Sequence, residues 1–191
     1  MSVIISGDTG LAGAATGALN GSLGATTPST VVATTISASG AITATGGVVV
    51  GASAAPAFSA SLVVTNQSIT SGVATKLQFS VENFDTNSNY NTTNYRFTPT
   101  VAGYYQINLS CYASGTALTQ QNLYIYKNGS AIHGTVIIVP SSTVSGAFTA
   151  AVIYCNGSTD YIEAYALITG TSPIVQAQVL TSFNGCFVRS A

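Results

Sequence analysis

"RFTPTVAGYYQINLS", residues 96–110, decides how this chain folds. Pro99 and Gly103 bracket a turn, because proline fixes φ and lacks a donor while glycine tolerates backbone geometries closed to other residues. After Gly103 the pattern alternates. Tyr105, Ile107, Leu109 and Cys111 fall on one face of an extended segment, and Tyr104, Gln106, Asn108 and Ser110 on the other. One tyrosine of the pair therefore points into a core and its neighbour points out.

The same alternation recurs downstream. "LYIYKNGSAIHG" (123–134) carries Asn128-Gly129 between two extended segments, and "FTAAVIYCNGSTDYIEAYALI" (148–168) repeats the device at Asn156-Gly157. Asn-Gly favours a tight hairpin because both residues accept positive φ. Short alternating strands separated by such turns predict an all-β sandwich, with no helical periodicity anywhere.

Composition narrows the function. With 191 residues the chain is long enough for one ordinary domain and an appendage. Only 5% of residues are charged, and four Lys/Arg against five Asp/Glu give a net charge of -1. That leaves nothing to neutralise a row of phosphates or to hold an anionic membrane surface. Mean hydropathy is +0.44, yet no run approaches the roughly 18 apolar residues of a membrane-spanning helix. "MSVIISGDTG" lacks a basic n-region and does not read as a secretory signal, so synthesis in a cytoplasm is expected, with any export occurring another way. Cys111, Cys155 and Cys186 are widely spaced and form no CxxC pair, which predicts reduced, buried thiols.

The texture changes near Pro56. Residues 1–57 hold one charge, Asp8, and no aromatic residue, whereas every Tyr and Phe lies from Phe58 onward. Such a segment cannot offset the entropy of its own ordering. "GDTGLAGAATGALNGSLG" (7–24) spaces its glycines irregularly and reads either as a flexible linker or as an arm that orders on a partner. Three hexads follow, beginning at Ile36, Ile42 and Val48, which read as short strands turning at small residues and needing a neighbour to pack against. The boundaries drawn are 1–57 for the arm and 58–191 for the head.

Candidates for chemistry are few. His133 is the only histidine and sits just past a turn, with no strained nucleophile elbow in the chain, so an ordinary surface histidine is expected. Asp160 with Glu163, and Glu82 with Asp85, are spaced by three, which along a strand sends the two carboxylates to opposite faces. "DTNSNY" (85–90) copies the opening of a calcium loop, making Asp85, Asn87 and Asn89 weak metal candidates. The twelfth position from Asp85 is Arg96 and the sixth is Tyr90, against the Glu and Gly an EF-hand requires. No catalytic residue and no cofactor is expected.

"PAFSA" (56–60), "LQFSVENFDTNSNYNTTNYRFTPTVAGYYQINLS" (77–110), "YKNG" (126–129), "DYIEAYA" (160–166) and "FNGCFV" (183–188) together resemble the C1q-like domain over about 130 residues. The resemblance implies a ten-stranded jelly roll of the C1q and tumour-necrosis-factor type, assembled as a homotrimer. It implies that Phe97, Pro99, Gly103, Tyr104, Tyr105, Asp160, Tyr161, Phe183 and Gly185 carry the fold and trimer core rather than a reactive site. A collagen stalk is missing. The leader and its Ala/Thr/Gly/Val hexads look like the leading segments of bacteriophage fibre and virion-decoration proteins. The resulting expectation is a non-enzymatic protein of a virion surface, a capsid decoration, cement or head-fibre protein. Its partners would be its own copies and, through residues 1–57, capsid or tail proteins. The alternative is a tail-fibre or receptor-binding tip whose uncharged loops recognise host surface glycans.

Overall fold

A computed structural model describes residues 55–190. The arm assigned to residues 1–57, its hexads included, lies outside the described residues except for its last three. Ten strands and no helix occur among the described residues: β1 (Ala57–Ser61), β2 (Gln67–Ser68), β3 (Thr75–Lys76), β4 (Val81–Asp85), β5 (Tyr90–Asn91), β6 (Arg96–Phe97), β7 (Gly103–Lys127), β8 (Ser130–Cys155), β9 (Ile162–Val175) and β10 (Ser182–Arg189). No helix among them is long and apolar enough to cross a membrane.

Where short strands were expected, β7, β8 and β9 run for 25, 26 and 14 residues. Each bends midway and so belongs to two sheets. In the first sheet the order is β4-β1-β10-β7-β8, built on residues 103–114 of β7 and 144–155 of β8. In the second, residues 118–127 of β7 lie between the first half of β8 and β9, which also pairs with β3 and β6. The bends sit at one level: Leu118 pairs with Ser142, and Thr116 with Thr171. Ala117 (φ 51°), Ser141 (φ 47°) and Ser172 (φ 48°) mark them. Left-handed geometry at three non-glycine residues persists only where surrounding packing holds it. Leu118 supplies that packing, for its side chain is fully buried and fills the space a Cβ would take at Gly115 and Gly170.

The inner faces meet in an aromatic seam. Phe58 of β1 stacks on Phe97 at 4.2 Å between centroids and on Tyr90 at 5.1 Å, and meets Phe183 edge-on at 5.0 Å. Phe97 contacts Tyr105 edge-on at 5.5 Å, as Tyr105 does Phe187. Such geometries suit the ring quadrupole, and burying a side chain of this kind stabilises the fold by about 1.5–3 kcal/mol. The tyrosine pair divides between faces, with Tyr105 at 0% exposure and Tyr104 at 36%. The Tyr105 hydroxyl donates to the Val101 carbonyl at 2.6 Å, so the buried ring also closes the turn before β7.

The two Asn-Gly sequences behave differently. Asn128 (φ 52°) and Gly129 (φ 80°) form the tight hairpin between β7 and β8. Asn156-Gly157 joins no hairpin, which corrects the expectation above, because β8 pairs with β7 and not with β9. Asn156 instead turns its Oδ1 to the backbone N–H groups of Ser158, Thr159 and Asp160, shaping a loop that carries the chain from the first sheet to the second.

Gly185 lies under the Phe58 ring. A Cβ there would meet Ile107 Cδ1 at 2.6 Å, the Gln106 carbonyl oxygen at 2.9 Å and Phe58 Cε1 at 3.0 Å. Gly185→Ala is therefore expected to destabilise the fold by about 1–3 kcal/mol, measured as a lower urea midpoint with unchanged slope.

Candidate functional site

The outer face of the first sheet is the most distinctive surface of the described chain. Its register sets three rungs side by side: Ser182–Ser110–Phe148, Asn184–Asn108–Ala150 and Cys186–Gln106–Val152. Tyr104 and Tyr154 form the next rung and tilt against each other at 5.7 Å. Phe148 is 62% exposed, and Val152, Tyr154 and Val188 are exposed beside it. Tyr104, Val152, Val188 and Arg189 line an open cavity of about 300 Å³. Arg189 lies over the Tyr104 ring at 5.4 Å and makes no ion pair among the described residues.

Between these apolar groups runs a polar ladder. Gln106 Nε2 donates to Asn108 Oδ1 at 3.2 Å, Asn108 Nδ2 donates to Asn184 Oδ1 at 2.9 Å, and the Ser110 and Ser182 hydroxyls are 2.9 Å apart. β8 borders this face. Among the described residues it pairs on one side only, leaving a 26-residue edge whose exposed side chains include Ile132, Val136, Ile138, Val144, Phe148 and Val152. An apolar edge of this length invites another chain.

Charged groups do structural work elsewhere. Glu163 on β9 is 2% exposed and accepts from Lys76 at 2.8 Å and Arg96 at 2.6 Å. Burial raises its pKa, yet the hydrogen bonds from Arg96 and Lys76 outweigh that and hold it below the usual range. The Arg96 guanidinium also lies over the Tyr161 ring at 4.0 Å, on the outer face of the second sheet where Tyr126 and Tyr165 stack at 4.0 Å. Tyr161 is half-buried there, away from the aromatic seam. Asp160 accepts from Lys127 and Asn128 Nδ2 and from the Asn156 N–H, which ties the hairpin to the crossing loop; those bonds, Lys127 first, lower its pKa. Asp160 and Glu163 thus serve separate cation partners and share no reacting space.

The other candidates are placed as follows. Asp85 accepts from the N–H groups of Asn87 and Tyr90, and Asn89 Oδ1 accepts from the Thr100 N–H. The oxygens singled out for calcium are engaged in closing the loop over residues 85–100. No three His, Cys, Asp or Glu side chains converge as a metal centre among the described residues. His133 is exposed on β8 opposite Ile125. Cys111 and Cys155 are buried, and desolvation pushes their pKa values to about 12 and about 11. Cys186 corrects the expectation of three buried thiols. It is exposed because its register with Gln106 places it on the outer face.

Solved structures share this fold. The globular domain of zebrafish complement 1qA matches with a TM-score of 0.52 and 15% identity, covering 71% of this chain and 99% of that one. Murine APRIL matches with a TM-score of 0.56 and 10% identity over 70% and 99%. Eiger TNF from S. frugiperda matches with a TM-score of 0.50 and 9% identity over 72% and 93%. No family profile matches the sequence, and no curated protein matches it either. At such identities the likeness establishes a C1q/TNF-like jelly roll and nothing about activity.

Two outcomes follow from these placements. A thiol reagent at pH 8 should label at most one cysteine per folded chain, Cys186, and all three after unfolding, counted by intact mass. Because Asp160 and Glu163 have lowered pKa values when folded, the unfolded chain binds their protons at higher pH. Their contribution is complete above the ordinary carboxylate pKa of about 4 and is lost as pH falls through the lowered folded values. The Tm should fall with acid below about pH 4, and less steeply in Asp160→Asn and Glu163→Gln, each of which costs about 1–3 kcal/mol at neutral pH.

Proposed function

We propose that the protein is a non-enzymatic structural component of a bacteriophage virion. In this reading a homotrimeric C1q-like head decorates or cements the capsid, or caps a head fibre, held by residues 1–57. The observation that carries the reading is the apolar face and β8 edge left open among the described residues, on three stretches of the first sheet, residues 103–114, 144–155 and 182–189, whose one charge is Arg189. A surface of this kind gains stability by covering itself with copies. The aromatic-free leader supports attachment, since it orders at the expense of a partner's surface rather than its own core. Three linked leaders raise the effective concentration of one another at the particle, and the scarcity of charge makes the attachment insensitive to salt.

A second reading, a tail-fibre or receptor tip for host glycans, draws support from a different place. Tyr124, Tyr126, Tyr161 and Tyr165 are partly exposed near Arg96 on the second sheet, where rings and hydroxyls suit sugars.

Light scattering of the purified chain is expected to give three times the 19.2 kDa protomer mass, and Phe148→Asp to lower it to one. Labelling on purified particles is expected to mark many copies over the shell. A few copies at the tail tip, with binding to host cells, would favour the second reading, and absence from particles would overturn both.

A further inference from the structure

The amide ladder poses a problem that the described residues do not solve. Gln106 Oε1 and Asn184 Nδ2 have no protein partner among the described residues; Gln106 pairs with Val152, and Asn184 sits on the same face across Asn108 from Ala150. A partner that covers this face from β8 across to β10 strips water from both amides, and a buried amide without a hydrogen bond is costly. The occupant must therefore present both donors and acceptors in register. An amide side chain is both, so a row of amides is complementary to a second copy of itself. The three strands of this face, residues 103–114, 144–155 and 182–189, carry no charge but Arg189. Apart from Arg189, nothing there repels a like surface.

We propose that the Gln106–Asn108–Asn184 ladder is the contact that sets register and copy number between chains, with the free Gln106 and Asn184 groups bonding to amides of the neighbouring copy. The inference rests on the self-association proposed above and adds a division of labour. The apolar groups supply affinity without direction. The ladder penalises every arrangement in which an amide is buried unpaired, much as a single polar core residue fixes the order of a coiled coil at some expense of stability.

The test uses the full-length chain. Gln106→Leu with Asn184→Leu removes the penalty and is expected to turn a single species into a mixture of oligomers by native mass spectrometry. Gln106→Glu places like charges in the seam and is expected to weaken association at least tenfold at pH 8, with recovery on acidification toward pH 4. Gln120→Glu, on the other sheet's outer face, should keep the wild-type mass. Cys186, on the rung of Gln106, reports the seam directly: it should be slow to alkylate in the wild type and fast in Gln106→Glu. A wild-type chain that runs as a monomer overturns self-association and the ladder together. A wild-type oligomer whose Gln106→Glu variant keeps its mass and its Cys186 protection overturns the ladder alone, and a leucine variant that folds but stays a single species does the same.

Discussion

The stacking of Phe58 on Phe97 at 4.2 Å is the contact on which the remaining structure depends. It joins the first sheet, through β1, to the second, through β6. Tyr105 and Phe183 reach the same seam from β7 and β10, so four strands are located by one group of rings. The seam also explains a glycine at position 185, where the Phe58 ring needs the volume a side chain would fill. With so few charges in the chain, the order of the sheets is set by ring packing and backbone hydrogen bonds, and ion pairs only pin the periphery.

Much of this was legible in the sequence because the relevant signals are local. The division of Tyr104 from Tyr105 follows from the two-residue period of a strand, and the turn at Asn128-Gly129 from positive φ. The second Asn-Gly, at Asn156-Gly157, gives no hairpin, since Asn156 serves as an acceptor for three backbone donors and local sequence does not say which strand comes next to which. The bends of β7, β8 and β9 were not legible at all. Ala117, Ser141 and Ser172 are not residues that announce left-handed geometry, and the packing of Leu118 that sustains it is a long-range contact.

The face proposed to join copies was hidden for a related reason. Gln106, Asn108, Ser110, Asn184 and Ser182 read as ordinary solvent-facing polar positions. Only the pairing of β10 with β7 shows that they form a continuous row bordered by Phe148, Val152 and Tyr154. Cys186 was misjudged with them, by the same missing register. Charge, by contrast, was informative from composition alone: with Glu163 and Asp160 engaged by Lys76, Arg96 and Lys127, the described surface retains little with which to grip a polyanion.

Ala57 pairs with Cys186, Arg189 pairs with Tyr104 beside Gly103, and Lys127 reaches the Tyr154 carbonyl next to Cys155. Both termini of the described chain and the Asn128 hairpin therefore share one pole, while the three bends occupy the other. A pull on the first described residues would meet the Phe58 stack within a few residues, whereas the loops around the bends, at the far pole, could lengthen without disturbing that contact.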